Sequence, residues 1–184
     1  MTQIKINYLY EVLLFLLKKK THGRELAIKF NTSLTRIQST LTELRALNVI
    51  DYKIEGKNHI YFIKKNLISK ALILNAENYK LTKILSTHPH LEPIFEDIIN
   101  KSESELIILF GSYAKGAETK ESDIDIYIKT TNEEIKKKTE IIYDLLSVKI
   151  GEFNTESLLI QEIIKNHIII KGGEKYYEMV KFSS

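Results

Sequence analysis

Apolar residues recur at helical spacing at Leu9, Val12, Leu13, Leu16 and Leu17, which predicts a first helix over about 4–20. Gly23 follows where a helix stop is expected. Residues 24–30 make a short second helix. Asn31, Thr32 and Ser33 then form a turn whose side chains can cap a third helix. In that helix Leu34, Ile37, Leu41 and Leu44 line one face, and Thr32, Thr35, Arg36, Ser39 and Glu43 fall opposite. Residues 49–54 and 59–63 read as two strands around a hairpin turn, Glu55-Gly56-Lys57-Asn58. Residues 67–100 are helical in pattern. His88-Pro89-His90 breaks the run, and Pro93 suits the first turn of a helix over about 92–101.

The pattern then changes. Residues 106–110 are a continuous apolar run of strand length. Ile124, Ile126 and Ile128 alternate with Asp123, Asp125 and Tyr127, a period of two. Thr130 to Glu134 carry a capping-box signature, and the helix it opens extends to about 146, with Ile135, Ile142 and Leu146 inward. A strand over 147–153, a helix over 155–165, a strand over 167–170 and a helix over 174–182 complete the chain. The organisation predicted is α+β, with units at 1–66 and 101–184 joined by a helical connector at 67–100.

Hydrophobic residues make up 43% of the chain and charged residues 28%, a globular balance. The absence of cysteine excludes disulfides and thiolate metal sites. The first apolar run is too short to span a bilayer and lacks a small-residue cleavage site after it, so a cytoplasmic protein is expected. Charge is uneven. Residues 1–66 hold 12 Lys/Arg against 5 Asp/Glu, whereas residues 67–184 hold 15 against 19. A basic first third suits a polyanionic partner, or is simply a solvated face. Lys136-Lys137-Lys138 reads as such a face. His59, His88, His90 and His167 read as packing or surface residues.

Chemistry concentrates in two stretches. A buried strand ends at Gly111-Ser112 and turns into a helix start, which suits a phosphate. Glycine permits close approach of the backbone, Ser112 adds a hydroxyl donor, and Lys115 adds a point charge. Eleven residues after Ser112, Asp123 and Asp125 leave one face of a strand together. Two carboxylates held close repel unless a cation neutralises them, and Mg²⁺ takes carboxylates plus substrate phosphates. A phosphate cradle beside metal carboxylates points to phosphoryl or nucleotidyl transfer.

"GSYAKG" followed by "ESDIDIYI" resembles the minimal nucleotidyltransferases of the DNA polymerase β-like superfamily, over about residues 101–184. The resemblance implies a small mixed sheet, a nucleoside triphosphate donor such as ATP, two Mg²⁺ ions, and attack by an acceptor on the α-phosphate. Gly111 and Ser112 match the family's phosphate turn, and Asp123 and Asp125 its motif carboxylates. Small members often serve toxin–antitoxin modules and modify a partner protein. One departure stands out. The family's third acid should lie on a neighbouring strand, yet the best-flanked position in residues 148–153 holds Lys149. Glu152 is the nearest acid, of opposite strand parity, and it is the residue expected to complete the catalytic and metal set.

Residues 1–66 resemble a winged helix-turn-helix in element order and in "LTELRALNVIDYKIEGKNHIYFI". The resemblance implies duplex DNA, with Thr35, Arg36 and Ser39 near base edges or backbone and Lys53 and Lys57 near phosphates. Winged helices also serve protein contact or dimerisation. Two functions are therefore carried forward: a metal-dependent nucleotidyltransferase directed to DNA or a partner, and a DNA-binding regulator or antitoxin with a degenerate nucleotide-binding domain.

Overall fold

The computed structural model describes residues 6–180, which form two compact units, 6–79 and 80–180. In the first, α1 (Tyr8–Lys18) is capped by Asn7, whose side chain accepts from the Leu9 N–H, and buries Val12, Leu13 and Leu16. It stops at Lys18, short of the predicted 20, and residues 4 and 5 lie outside those described. α2 (Gly23–Lys29) starts where His22 Nδ1 accepts from the Glu25 N–H at 3.2 Å. Ser33 caps α3 (Leu34–Ala46), which turns Ile37, Leu41 and Leu44 inward. Leu34, expected on that face, is exposed at 36%. β1 (Ile50–Glu55) and β2 (Asn58–Ile63) pair antiparallel with Glu55 opposite Asn58, so the turn itself is Gly56-Lys57. α4 (Leu67–Thr87) gives residues 67–79 to this unit and 80–87 to the second.

The second unit is built on a four-stranded mixed sheet of order β5-β4-β3-β6. β3 (Ile107–Phe110) runs antiparallel to β4 (Ile124–Lys129) and to β6 (Ile168–Lys171), and β4 runs parallel to β5 (Leu146–Gly151). The period of two sorts the side chains. Ile107, Leu109, Ile124, Ile126, Ile128, Leu146 and Val148 form one cluster with Leu91, Ile94, Phe95 and Ile98 of α5 (Leu91–Ser102). Asp125, Tyr127, Ser147 and Lys149 therefore stand on the other face. α8 (Leu158–Lys165) packs against β3 and buries Ile160 and Ile163.

Two predicted helices differ in extent. α7 (Glu133–Glu140) ends six residues before 146, because Ile124 donates to the Leu145 carbonyl and pairs in register with Leu146. The sheet edge claims a segment whose local pattern suits a helix, a tertiary override of propensity. α8 begins at Leu158 rather than 155, because the Ser157 hydroxyl accepts from the Ile160 N–H. The last helix, α9, is Gly173–Met179.

Candidate active site

The turn and the carboxylates meet. Phe110 pairs with Asp125 across β3 and β4, so Gly111, the next residue, lies beside the Asp125 carboxylate. Gly111 has φ +68°, and a Cβ there would stand 2.0 Å from Asp125 Oδ2 and 2.8 Å from its Cγ. Only glycine leaves room for this contact. Ser112 follows in α6 (Gly111–Lys115), a five-residue helix closed by Gly116.

Asp125 is half-buried, and burial pushes its carboxyl above the usual carboxylate range. Asp123 and Glu162 push the same way, while a hydrogen bond from Ser147 and the charge of Lys149 oppose it. Asp123 sits just before β4 and is exposed. A strained anion of this kind is what an arriving cation would relieve.

β5 corrects one expectation. In the parallel register Ser147 lies opposite Asp125 and Lys149 opposite Tyr127, so Lys149 shares the face of the aspartates. Glu152 does not turn toward them. It lies beyond the end of β5, its side chain 74% exposed and its carboxylate 3.9 Å from Lys129 Nζ. The reason is position along the strand: Asp125 lies opposite Ser147 at one end of β5, whereas Glu152 follows Gly151, which lies opposite Lys129 at the other end. The carboxylate that does act on Asp125 across chain segments is Glu162 of α8, which sequence reasoning missed, as it missed Ser147. Glu162 holds Lys115 Nζ at 2.8 Å, so Lys115 is engaged by an acid rather than standing free for phosphate.

Mg²⁺ commonly takes one or two carboxylates and completes its shell with substrate oxygens and water. Asp123 and Asp125 fit that demand for one ion. Among the described residues no three His, Asp or Glu side chains are grouped to hold a metal. His88 binds Glu118 at 3.0 Å.

Residues 92–175 match the family model described as Polymerase beta, Nucleotidyltransferase. This nucleotidyltransferase match takes in the turn, both aspartates, Lys149 and Glu162, and covers a little under half of the chain. It supports the nucleotidyltransferase superfamily for this segment. The solved structure described as "Crystal structure of the toxin-antitoxin with AMP-PNP" is similar at 22% identity and a TM-score of 0.38, over 50% of this chain and 80% of that one. No curated protein matches the chain in sequence. No helix among the described residues is long and apolar enough to cross a membrane.

The five residues expected to meet DNA do not share one surface. Thr35, Arg36, Ser39, Lys53 and Lys57 are all exposed. The Arg36 guanidinium, however, lies 5.5 Å over the Tyr8 ring, on the α1 side of α3. Lys53 is one residue from Tyr52 in β1 and so points to the opposite face of the hairpin. Lys57 is at the tip.

Proposed function

We propose that the second unit binds a magnesium–nucleoside triphosphate such as ATP on Gly111-Ser112 and Asp123/Asp125, and transfers the nucleoside monophosphate to an acceptor. The observation that carries this is the contact between Gly111 and the Asp125 carboxylate, which joins the phosphate turn to the acidic pair. In the step, an acceptor oxygen forms a bond to the α-phosphorus, the bond to the β-phosphate oxygen breaks, and pyrophosphate leaves. Asp123 and Asp125 would hold one Mg²⁺, which offsets charge on the phosphoryl oxygens. Ser112 would donate its hydroxyl to a phosphate oxygen, and Lys115 would reach one only by leaving Glu162. A partner protein is the acceptor class that fits the toxin–antitoxin members resembled in sequence.

For the first unit we propose a winged helix that binds duplex DNA, supported by its helix–helix–helix–hairpin order and its excess of Lys and Arg. The second reading of the whole chain is a regulator whose nucleotide site senses without transferring. It is favoured by one observation: Lys149, a cation, shares the face where a third carboxylate would complete the catalytic set, and Glu152 lies away. Incubation with Mg²⁺, each α-labelled nucleotide and cell extract separates the two. Label transferred to protein, and lost in Asp125→Asn, supports the enzyme. Nucleotide binding without any transfer supports the sensor.

A further inference from the structure

The first unit carries a groove of ≈ 230 Å³ between α2, α3 and the hairpin. Leu34 lies at its wall, and Arg24, Gln38, Lys57, His59 and Tyr61 line it with polar and cationic groups. Arg24, Gln38, Lys57 and His59 are exposed. The hairpin side is stiffened by stacked rings: His59 lies 4.1 Å from Tyr52 in parallel, and Arg45 sits 4.5 Å over the other ring of that pair, Tyr52. Cation–π and stacked contacts of this kind fix the hairpin on the helices, so that Lys57 at its tip is held at the groove.

The sorting of side chains around α3 gives the groove its meaning. Arg36 turns to α1 and Tyr8, and Lys53 turns to the far side of the hairpin. Gln38, by contrast, lines the groove together with Arg24 and Lys57. An amide that shares one groove with two cations matches duplex DNA: phosphates are neutralised by Arg and Lys, and a Gln amide can donate to and accept from the N7/N6 edge of adenine. We propose that this groove is the duplex-DNA contact of the chain, with Arg24 and Lys57 on phosphates and Gln38 at a base edge, in place of Arg36 and Lys53. The proposal rests on the DNA-binding reading of the first unit and says which of its surfaces is used.

The test is fluorescence anisotropy of the full chain on a short labelled duplex, selected on the wild-type protein from a randomised library, across a series of salt concentrations. Each phosphate contact contributes about 0.9 to the slope of log K against log salt. Arg24→Ala and Lys57→Ala should each flatten the slope by about that amount, and Gln38→Ala should weaken the selected duplex ~10-fold while leaving the slope unchanged, the loss of about 1.4 kcal/mol expected for one base-edge contact. Arg36→Ala and Lys53→Ala should leave both readings unchanged. All five positions are exposed, and unaltered thermal melting checks that the variants fold. Slopes that respond to Arg36 and Lys53 but not to Arg24 and Lys57 would overturn the groove while leaving DNA binding in place. Failure of the wild type to bind any duplex at low salt would overturn the DNA reading itself, and the groove with it.

Discussion

Gly111→Ala is the substitution that probes the junction of turn and carboxylate. The new Cβ would lie 2.0 Å from Asp125 Oδ2, 2.8 Å from Cγ and 3.0 Å from Cβ, so rotating the carboxylate tip alone does not clear it. At φ +68° an alanine also costs about 1–2 kcal/mol in the left-handed region. Forcing Asp125 off its rotamer adds about 0.5–1.5 kcal/mol. A loss of about 2–3 kcal/mol is expected, measured as a lowered urea midpoint with an unchanged m-value. The two causes separate in a double-mutant cycle. In an Asp125→Ala background the contacts to Oδ2 and Cγ disappear, leaving the backbone cost and the 3.0 Å approach to the Cβ of residue 125, so Gly111→Ala should cost about 1 kcal/mol less there. A cost below about 0.5 kcal/mol in the wild-type background would refute the reasoning, because it would mean that the backbone at 111 is not held in the left-handed region. So would an equal cost in both backgrounds, because it would mean that the carboxylate does not press on the turn.

Three further outcomes follow from the same geometry. Without Mg²⁺, Asp125 binds its proton more tightly folded than unfolded, so its contribution to stability falls as pH rises from the usual carboxylate value through the folded one. Asp125→Asn should therefore stabilise the chain at about pH 7 and lose that advantage below about pH 3; an advantage independent of pH would contradict the burial argument. Ser147→Ala and Lys149→Ala should each move the Asp125 titration, followed by carboxyl-carbon NMR, further upward, since both partners oppose the shift. Gly172→Ala, with φ +85° and a Cβ 2.0 Å from the Glu105 carbonyl oxygen, should lower the melting temperature more than Gly111→Ala, because backbone cannot rotate aside as a side chain can; a smaller drop would count against the packing described.

The two halves of the chain were legible to different depths. Alternation at Ile124, Ile126 and Ile128 fixes which way Asp123 and Asp125 face, because strand parity is a local property. Parity also put Ser147 and Lys149 on one face of β5, but it did not decide Glu152, which lies beyond the end of that strand against Lys129. What parity could not supply was the register between β4 and β5, which sets Ser147 opposite Asp125 and depends on contacts across the crossover. Glu162 was out of reach for the same reason, since its partner Lys115 is 47 residues away in sequence. Helix ends were read well where a cap was present, as at Ser33, and badly where the sheet took the chain, as after Glu140. In the first unit, helical spacing correctly separated the buried Ile37, Leu41 and Leu44 from the exposed side of α3. It could not tell that Arg36 would settle on Tyr8 rather than near Lys57, because that choice depends on where α1 lies.

The most direct test of the central claim is calorimetric titration of the full chain with ATP and its slowly hydrolysed analogues, with and without Mg²⁺, alongside an Asp123→Asn/Asp125→Asn variant. The account predicts nucleotide binding that requires Mg²⁺ and is lost in the variant, while the variant still melts cooperatively. Equal binding by the variant and the wild type, or wild-type binding indifferent to Mg²⁺, would contradict the assignment of the two aspartates to the metal and of Gly111-Ser112 to the phosphate.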